Sequence, residues 1–333
     1  MSAPSRTLQD WKLRASQGQG LILAVVVFLL MFALYVGNHP AGLTVPVVTT
    51  AANKAVLLAL VAMAQTLPVL TGGLDLSVGM IFVMTNCLAS IIVNGEPWQV
   101  ALGIVAVLLT GALAGFVNGA IVVYGRLQPI ITTLATGAVY YGIALLLRPV
   151  PGGAVQEDLA DFMTYTVFDV VPTSLVLLLA VVVIIWLPFR NSVIGRGCYA
   201  VGSAEGAAYM SGVAIGRSRL AAFTLSGLLA GVAGLMLTFV TFSGEASAPI
   251  GGTYTLNSIA AVVIGGTSLY GGAGGAIGSI FGAFILRTID DLLFVFDLPP
   301  LWQPLFQGVV LLGAVSLGAA RVFRIRNRLE LFN

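Results

Sequence analysis

Long apolar stretches alternate with short glycine-rich, proline-containing or charged breaks along almost the whole chain. Most of them approach the roughly 20 residues that a helix needs to cross a bilayer core. They are too long and too uniformly apolar for the alternating strands of a membrane barrel, so they predict helices. The stretches lie at 19–37, 53–71, 76–94, 98–124, 129–148, 172–188, 218–241, 255–268, 274–292 and 303–320.

This pattern predicts an all-α polytopic membrane protein with about ten transmembrane helices, the eighth short enough to be broken or re-entrant. Composition agrees, because only 8% of the 333 residues are charged, whereas soluble domains carry about 25%. The 40 glycines suit close helix–helix contacts in lipid. No small-residue cleavage site follows the first stretch, which we therefore interpret as a retained span.

The basic residues predict the orientation, because cytoplasmic loops are enriched in Lys and Arg. With the N-terminus inside, twelve of the 15 basic residues are cytoplasmic. These are Arg6, Lys12, Arg14, Arg126, Arg190, Arg196, Arg217, Arg219, Arg321, Arg324, Arg326 and Arg328. The opposite side receives Glu96, Glu157, Asp158, Asp161, Asp169, Glu245, Asp290, Asp291 and Asp297. Both termini are therefore predicted to be cytoplasmic: a segment at 1–18 and a basic tail at 321–333, flanking one transmembrane domain at 19–320.

Two connections are long enough to have functions of their own. The first, 149–171, is acidic and predicted to be periplasmic. The second, 189–217, is basic and cytoplasmic, and it far exceeds the 2–8 residues of an ordinary helix connection. A helix resting on lipid would carry more Lys and more large apolar residues than this segment does. We therefore predict that it forms a short helix on which a partner protein docks.

The stretch TGGLDLSVGM at 71–80 places Asp75 between two apolar runs. One interpretation is an inner hairpin in which Asp75 caps the following helix by accepting the amides of 76–79. The other is direct contact with a transported solute, since an ionisable residue at a membrane boundary is costly unless it is used. The two are compatible if the cap holds a broken helix near the path.

Uncharged amides inside spans favour a helix contact or a hydrated path over lipid. Threonines in spans commonly bond only to backbone carbonyls of their own helix. A neutral polar lining suits a neutral, hydroxyl-rich solute better than a pumped ion. The candidate pathway residues are Gln65, Asp75, Ser77, Asn86, Asn118, Thr132, Thr133 and Asn257.

The sequence argues against chemistry in this chain. His39 is the only histidine, and Cys87 and Cys198 lie in different segments, so neither a metal site nor a catalytic residue is expected. The glycine-rich run at 271–275 lacks the Lys-Ser/Thr of a phosphate-binding loop. We expect this chain to bind no cofactor, nucleotide or nucleic acid.

Four segments, in order, resemble the permease family of bacterial ABC importers for monosaccharides, of the ribose/xylose/galactose type. The stretch 71–79 is similar to the family's TGGIDLSVG, and 118–136 to its NG…P-hydrophobic-T-L-A/G-T pattern. The cytoplasmic stretch 195–213 and the glycine-rich stretch 256–272 resemble its other two motifs. Asn257 departs from the family's usual Asp, and Ala273 or Gly274 from a following Lys or Arg, which hints that a salt bridge is absent.

The resemblance implies a subunit of an importer in the bacterial inner membrane, surrounded by lipid. Two permeases, identical or paralogous, would pair, and each would dock a cytoplasmic ATPase that binds the ATP. A periplasmic sugar-binding protein would deliver the cargo, and ATP use would switch access from outside to inside. The ATPase-coupling residues would be Arg196, Tyr199, Gly202, Glu205, Ala207, Ala208, Ser211 and Gly212.

Several alternatives stay open at this point. A secondary transporter would need an intramembrane carboxylate, Lys or His, and apart from Asp75 and Lys54 at the boundaries the spans offer almost none. A membrane enzyme would need a metal set or a nucleophile–base pair. A permease for branched-chain amino acids or nucleosides is an alternative within the same class of importers. A zwitterionic cargo, however, should require charged residues along the transport path. Which sugar is carried is not readable from this chain.

Overall fold

The computed structural model describes residues 6–310 and 312–313, and side chains from residue 20 onward except at 300 and 311. The predicted tail at 321–333, the last part of the tenth stretch and residues 1–5 lie outside the described residues. The long helices are α1 (Arg6–Asn38), α2 (Val45–Leu70), α3 (Val78–Ile92), α4 (Pro97–Tyr124), α5 (Pro129–Leu147), α11 (Ile215–Thr241), α12 (Ala248–Ile264) and α13 (Ala276–Val295).

Shorter elements fill the two long connections. The acidic connection forms α6 (Glu157–Thr164) and a two-stranded antiparallel sheet of β1 (Thr166–Val167) and β2 (Val171–Pro172). Next, α7 (Thr173–Val181) continues through a π-helical turn into α8 (Leu187–Asn191). The basic connection then forms α9 (Val193–Ser203) and α10 (Glu205–Met210). After α13, a 3₁₀ turn at Pro300–Trp302 leads into helical residues at 303–310.

The prediction of a polytopic helical membrane protein is confirmed. Within the described residues, six helices are long and apolar enough to span a bilayer. They are Gly20–Asn38, Val45–Leu70, Pro97–Tyr124, Pro129–Leu147, Thr173–Asn191 and Ile215–Thr241. The helices α3 and α12 are apolar but shorter, and α13 carries three charged residues. The count of ten spans and the sides of the termini stay predictions.

Local sequence explains where several helices begin. Proline stands in the first turn of α2, α4, α5 and α12, where its missing amide hydrogen costs nothing. At the start of α4, Glu96 and Gln99 form a capping box. The hydroxyl groups of Ser192 and Ser247 accept backbone amides at the starts of α9 and α12.

Helix α2 runs through the centre of the bundle, and nearly all of its residues after Lys54 and Ala55 are buried. It packs against α13, to which Thr66 donates a hydrogen bond at the Ser279 hydroxyl (2.7 Å). On the other side of α13, α1 packs through Phe28 against Phe281 and Phe284. Helices α13, α11 and α12 therefore surround α2 and leave it little contact with lipid.

Helices α4 and α11 approach closely through glycine. Gly111 and Gly115 of α4 face Gly227 and Gly231 of α11, and a methyl group added at Gly227 would overlap the Gly111 carbonyl oxygen. Small residues let two membrane helices come into backbone contact, which supplies the dispersion energy that replaces the hydrophobic effect in lipid.

The bundle has two ends, which we name by their charge. The basic face is formed by 70–73, 125–128, 189–217 and 265–275, where a hydrogen bond runs from Gly272 to the Leu70 carbonyl (3.1 Å). The acidic face is formed by 93–96, 148–172 and 242–247, joined by bonds between Gly152 and Gly244.

We expect Gly227→Ala to destabilise the protein, because the new methyl group forces α4 and α11 apart at a cost of about 1–3 kcal/mol. A methyl group at Gly142 of α5 would meet nothing within 4 Å, so Gly142→Ala is the matched control. Thermal unfolding in detergent measures both variants. Equal melting temperatures for the two would show that the α4–α11 contact is not tight.

Candidate functional site

The chain crosses from α2 to α3 through a non-helical segment, 71–77, which begins at the basic face and is buried or partly buried from Gly73 onward. Asp75 is fully buried there, and one of its carboxylate oxygens accepts the amide (2.9 Å) and the hydroxyl (2.6 Å) of Ser77. Gly137 of α5 lies against the Cα atom of Ser77. The acidic turn is thus an interior feature of the fold.

Side chains from three other helices complete this network. Asn118 of α4 donates to the Ser77 hydroxyl (2.7 Å), and its own carbonyl oxygen accepts from the Tyr140 hydroxyl (3.0 Å). With its amide oriented to satisfy both groups, Gln65 of α2 donates to the backbone oxygen of Asp75 (2.8 Å) and accepts from its backbone nitrogen (3.3 Å). We call Gln65, Asp75, Ser77, Asn118 and Tyr140 the crossing network.

The predicted capping role of Asp75 differs in its details from the structure. Ser77 is the residue that flanks α3, and of the amides at 76–79 Asp75 accepts only that of Ser77. The Leu76 amide donates to Thr133, and the Gly79 amide donates to Thr255. Tertiary partners replace the expected local cap because the crossing segment is surrounded by helices. Among the described residues, no basic side chain lies within ion-pair distance of Asp75.

The remaining pathway candidates lie apart from the crossing network. Asn86 donates to Thr238 (2.9 Å) and Ser243 (3.1 Å) and accepts from the Glu245 amide (3.0 Å), so it holds α3 to the end of α11. Thr132 and Asn257 are buried, and the Thr132 hydroxyl and the Asn257 amide nitrogen make no hydrogen bond. The structure therefore brings together Gln65, Asp75, Ser77, Asn118 and Thr133 but places Asn86 elsewhere.

Sequence reasoning missed an ion pair inside the apolar stretch of α13. Arg287 donates to Asp290 at 3.1 Å, Gln307 donates to the other carboxylate oxygen at 3.0 Å, and the guanidinium lies 4.9 Å from the ring centre of Tyr254. The charge pattern predicts a position for Asp290 on the side opposite the cytoplasm, and in the structure its side chain is mostly buried. Opposite charges three residues apart on a helix were the available signal.

The docking segment, α9 and α10, is anchored to the crossing segment. Tyr199 donates to the Gly274 carbonyl (2.9 Å). Gly202 lies so close to Leu70 and Gly272 that a methyl group there would overlap both. Leu70 is the last residue of α2, directly before 71–77. A displacement of α9 therefore reaches the crossing network through backbone contacts.

Much of the exposed surface of the docking segment lies on α10. Tyr209 and Met210 are 75% and 83% exposed, and Glu205 pairs with Arg219 of α11 at 2.7 Å. Arg196, Ala207 and Ser211 are exposed as well, and Gly212 adopts a left-handed conformation with φ +76°. Ala208 is buried, so it packs the segment onto the bundle instead of presenting itself to a partner.

Two ionisable groups on α9 are perturbed by their surroundings. Burial raises the pKa of the Cys198 thiol to about 12, and the thiol donates to the Ser218 carbonyl (3.3 Å). Burial also raises the pKa of Tyr199. Both groups stay protonated at neutral pH, so they serve as uncharged packing and hydrogen-bonding groups of the docking segment.

Residues 47–315 match the family described as branched-chain amino acid transport system, permease component. The chain belongs to this permease family. The match includes the crossing network, the docking segment and the Arg287–Asp290 pair. The permease is therefore a multi-pass membrane protein and a transport component.

Curated relatives of this permease resemble it over most of its length. The ribose import permease protein RbsC of Haemophilus influenzae is 34% identical over 77% of this chain and 80% of its own. The autoinducer 2 import system permease protein LsrC of Enterobacter sp. is 34% identical over 88% of this chain and 85% of its own. The RbsC of Bacillus subtilis is 34% identical, with 78% and 80% covered. No solved structure matches the permease.

We expect Asp75→Ala to lower the melting temperature of the permease by several degrees, because two bonds to a carboxylate are lost and Ser77 and Asn118 lose their alignment. Charge-assisted hydrogen bonds are worth about 1.5–3 kcal/mol each. Asp161→Ala, on the exposed surface of α6, is the control. Unchanged unfolding of Asp75→Ala would argue that the carboxylate has no structural role.

Proposed function

We propose that this chain is the transmembrane permease subunit of an ATP-driven ABC importer for a monosaccharide or a related neutral polyol. The contact of Gly202 with Leu70 carries the proposal, because it connects a surface fit for docking to the buried crossing segment. A subunit that receives mechanical work from an ATPase needs such a connection. It performs no chemistry itself, since the ATP is bound by the partner.

The proposal includes an orientation in the bacterial inner membrane. The basic face would be cytoplasmic under the positive-inside rule, with both termini on that side and about ten spans. An ABC ATPase would then dock on α10, and a periplasmic sugar-binding protein would deliver cargo at the acidic face. A second copy of the permease, or a paralogue, would complete the pathway.

Two connections would transmit the movement of the ATPase. The first runs from α9 through Gly202 to Leu70 and the crossing network. The second runs from α10 through the Glu205–Arg219 pair to α11, which packs tightly on α4. Rigid elements joined in this way can switch between two arrangements, as alternating access requires.

The cargo class is supported by the relatives and by the polar groups of the bundle. The relatives named above import ribose and autoinducer 2. Apart from Asp75, the crossing network offers neutral hydroxyl and amide groups, which suit a neutral solute. A branched-chain amino acid is the second candidate. It is favoured by the family description and by the Arg287–Asp290 pair, which holds the two charges that a zwitterion needs.

We expect Met210→Glu to reduce recovery of the ATPase subunit with the tagged permease by at least tenfold. A buried apolar anchor is commonly worth more than 1.4 kcal/mol, which is a factor of ten in affinity. Phe168→Glu alters an equally exposed apolar residue on the acidic face and should leave recovery unchanged. Ala208 is unsuitable for this test because it is buried. Full recovery with Met210→Glu would remove α10 as the docking site.

Transport in vesicles separates the two cargo classes. The permease would be reconstituted with the ATPase and the binding protein encoded beside it, and uptake of radiolabelled ribose and leucine compared with and without ATP. We expect ATP-dependent uptake of the sugar alone. ATP-dependent uptake of leucine would show that the cargo is an amino acid and not a sugar. Uptake of either solute without ATP would contradict an ABC importer.

A further inference from the structure

A cavity of about 500 Å³ opens at the basic face, outside the crossing network. Its walls are the turn at 71–73, the α4–α5 connection and the first turns of α11. Val123 and Leu127 contribute apolar surface to it, and Arg126 and Arg219 contribute positive charge. The cavity shares Arg219 and the turn at 71–73 with the connections proposed above, but no side chain of the crossing network lines it.

The charge of the cavity is one-sided. Of the described residues that line it, none carries a carboxylate, and the nearest acid partner is Glu205, which Arg219 already binds at 2.7 Å. Arg126 is exposed and sits in a left-handed backbone conformation with φ +54°. Non-glycine residues in that conformation cluster at ligand-binding and other functional sites because the surrounding structure must hold them there.

An exposed apolar strip continues from the cavity along the outside of α5. Leu127 stands at the cavity just before α5 begins, and Ile131 and Leu134, three residues apart, lie on one side of α5. All three are more than half exposed. In a membrane protein, such a strip beside a basic pocket is complementary to an anionic phospholipid. The pocket lies at the level of the headgroup, and the strip lies along the acyl chains.

We propose that this cavity binds the phosphate headgroup of an anionic phospholipid, with the acyl chains on the α5 strip. Guanidinium groups bind phosphate oxygens through paired hydrogen bonds, and basic pockets between membrane helices hold anionic headgroups. A free phosphate would use the arginines but not the strip, so the strip favours the lipid. This site is additional to the solute pathway.

The test is lipid retention by the whole permease, measured by native mass spectrometry in detergent. Phosphatidylglycerol and phosphatidylcholine with the same chains are titrated into wild type, Arg126→Gln and Arg217→Gln. Arg217 is an exposed arginine on the same helix as Arg219 but does not line the cavity. Losing one basic contact to an anionic lipid should weaken retention about fivefold. Ile131→Ser tests the acyl strip independently.

We expect phosphatidylglycerol retention to fall in Arg126→Gln and Ile131→Ser, to be unchanged in Arg217→Gln, and to exceed that of phosphatidylcholine in wild type. Millimolar inorganic phosphate should not displace the lipid. Equal retention in all variants would overturn the proposal, as would displacement by phosphate, which would indicate an anion site only. Loss of ATPase capture in Arg126→Gln with lipid retention intact would assign the cavity to the ATPase instead.

Discussion

The whole arrangement depends on one constraint: a non-helical segment with a carboxylate is buried among membrane helices, and its polar groups must find partners inside the protein. Unsatisfied backbone groups away from water cost several kcal/mol each by general estimates. Gln65 satisfies the backbone of Asp75, Thr133 receives the Leu76 amide, and Thr255 receives that of Gly79. Helices α2, α5 and α12 are thereby held in position around the start of α3.

Close backbone contacts transmit position between this interior and the surface. At Gly202 the docking segment touches the end of α2, and at Gly227 helix α11 touches α4. Neither contact has a flexible side chain in between that could absorb a shift. Tightly packed elements move as units or switch between discrete packings. The same glycines that permit a compact bundle therefore place α9 in direct backbone contact with the end of α2, just before the crossing segment.

Charges inside the bundle are used in two different ways. Arg287 and Asp290 neutralise each other and are supported by Tyr254 and Gln307. Asp75 instead relies on the hydroxyl and the backbone amide of Ser77, which both donate to one carboxylate oxygen, while the other oxygen is buried without a hydrogen-bond partner. Paired charges and hydrogen-bonded carboxylates are both ways to limit the cost of removing a charge from water.

The sequence by itself determined the class of protein, most of the helices and the long connection at 189–217, and it singled out Asp75, Ser77, Asn118 and Gln65 as candidate residues. These features follow from local composition. The length of the apolar runs, the positions of the arginines and the rare polar residues inside such runs can all be identified without knowing the tertiary structure. Only the tertiary structure decided which polar residues meet, since Asn86 and Asn118 look alike in sequence but bind different helices. It also decided that Ala208 faces inward while Met210 faces out, because packing between distant segments sets burial and local pattern does not.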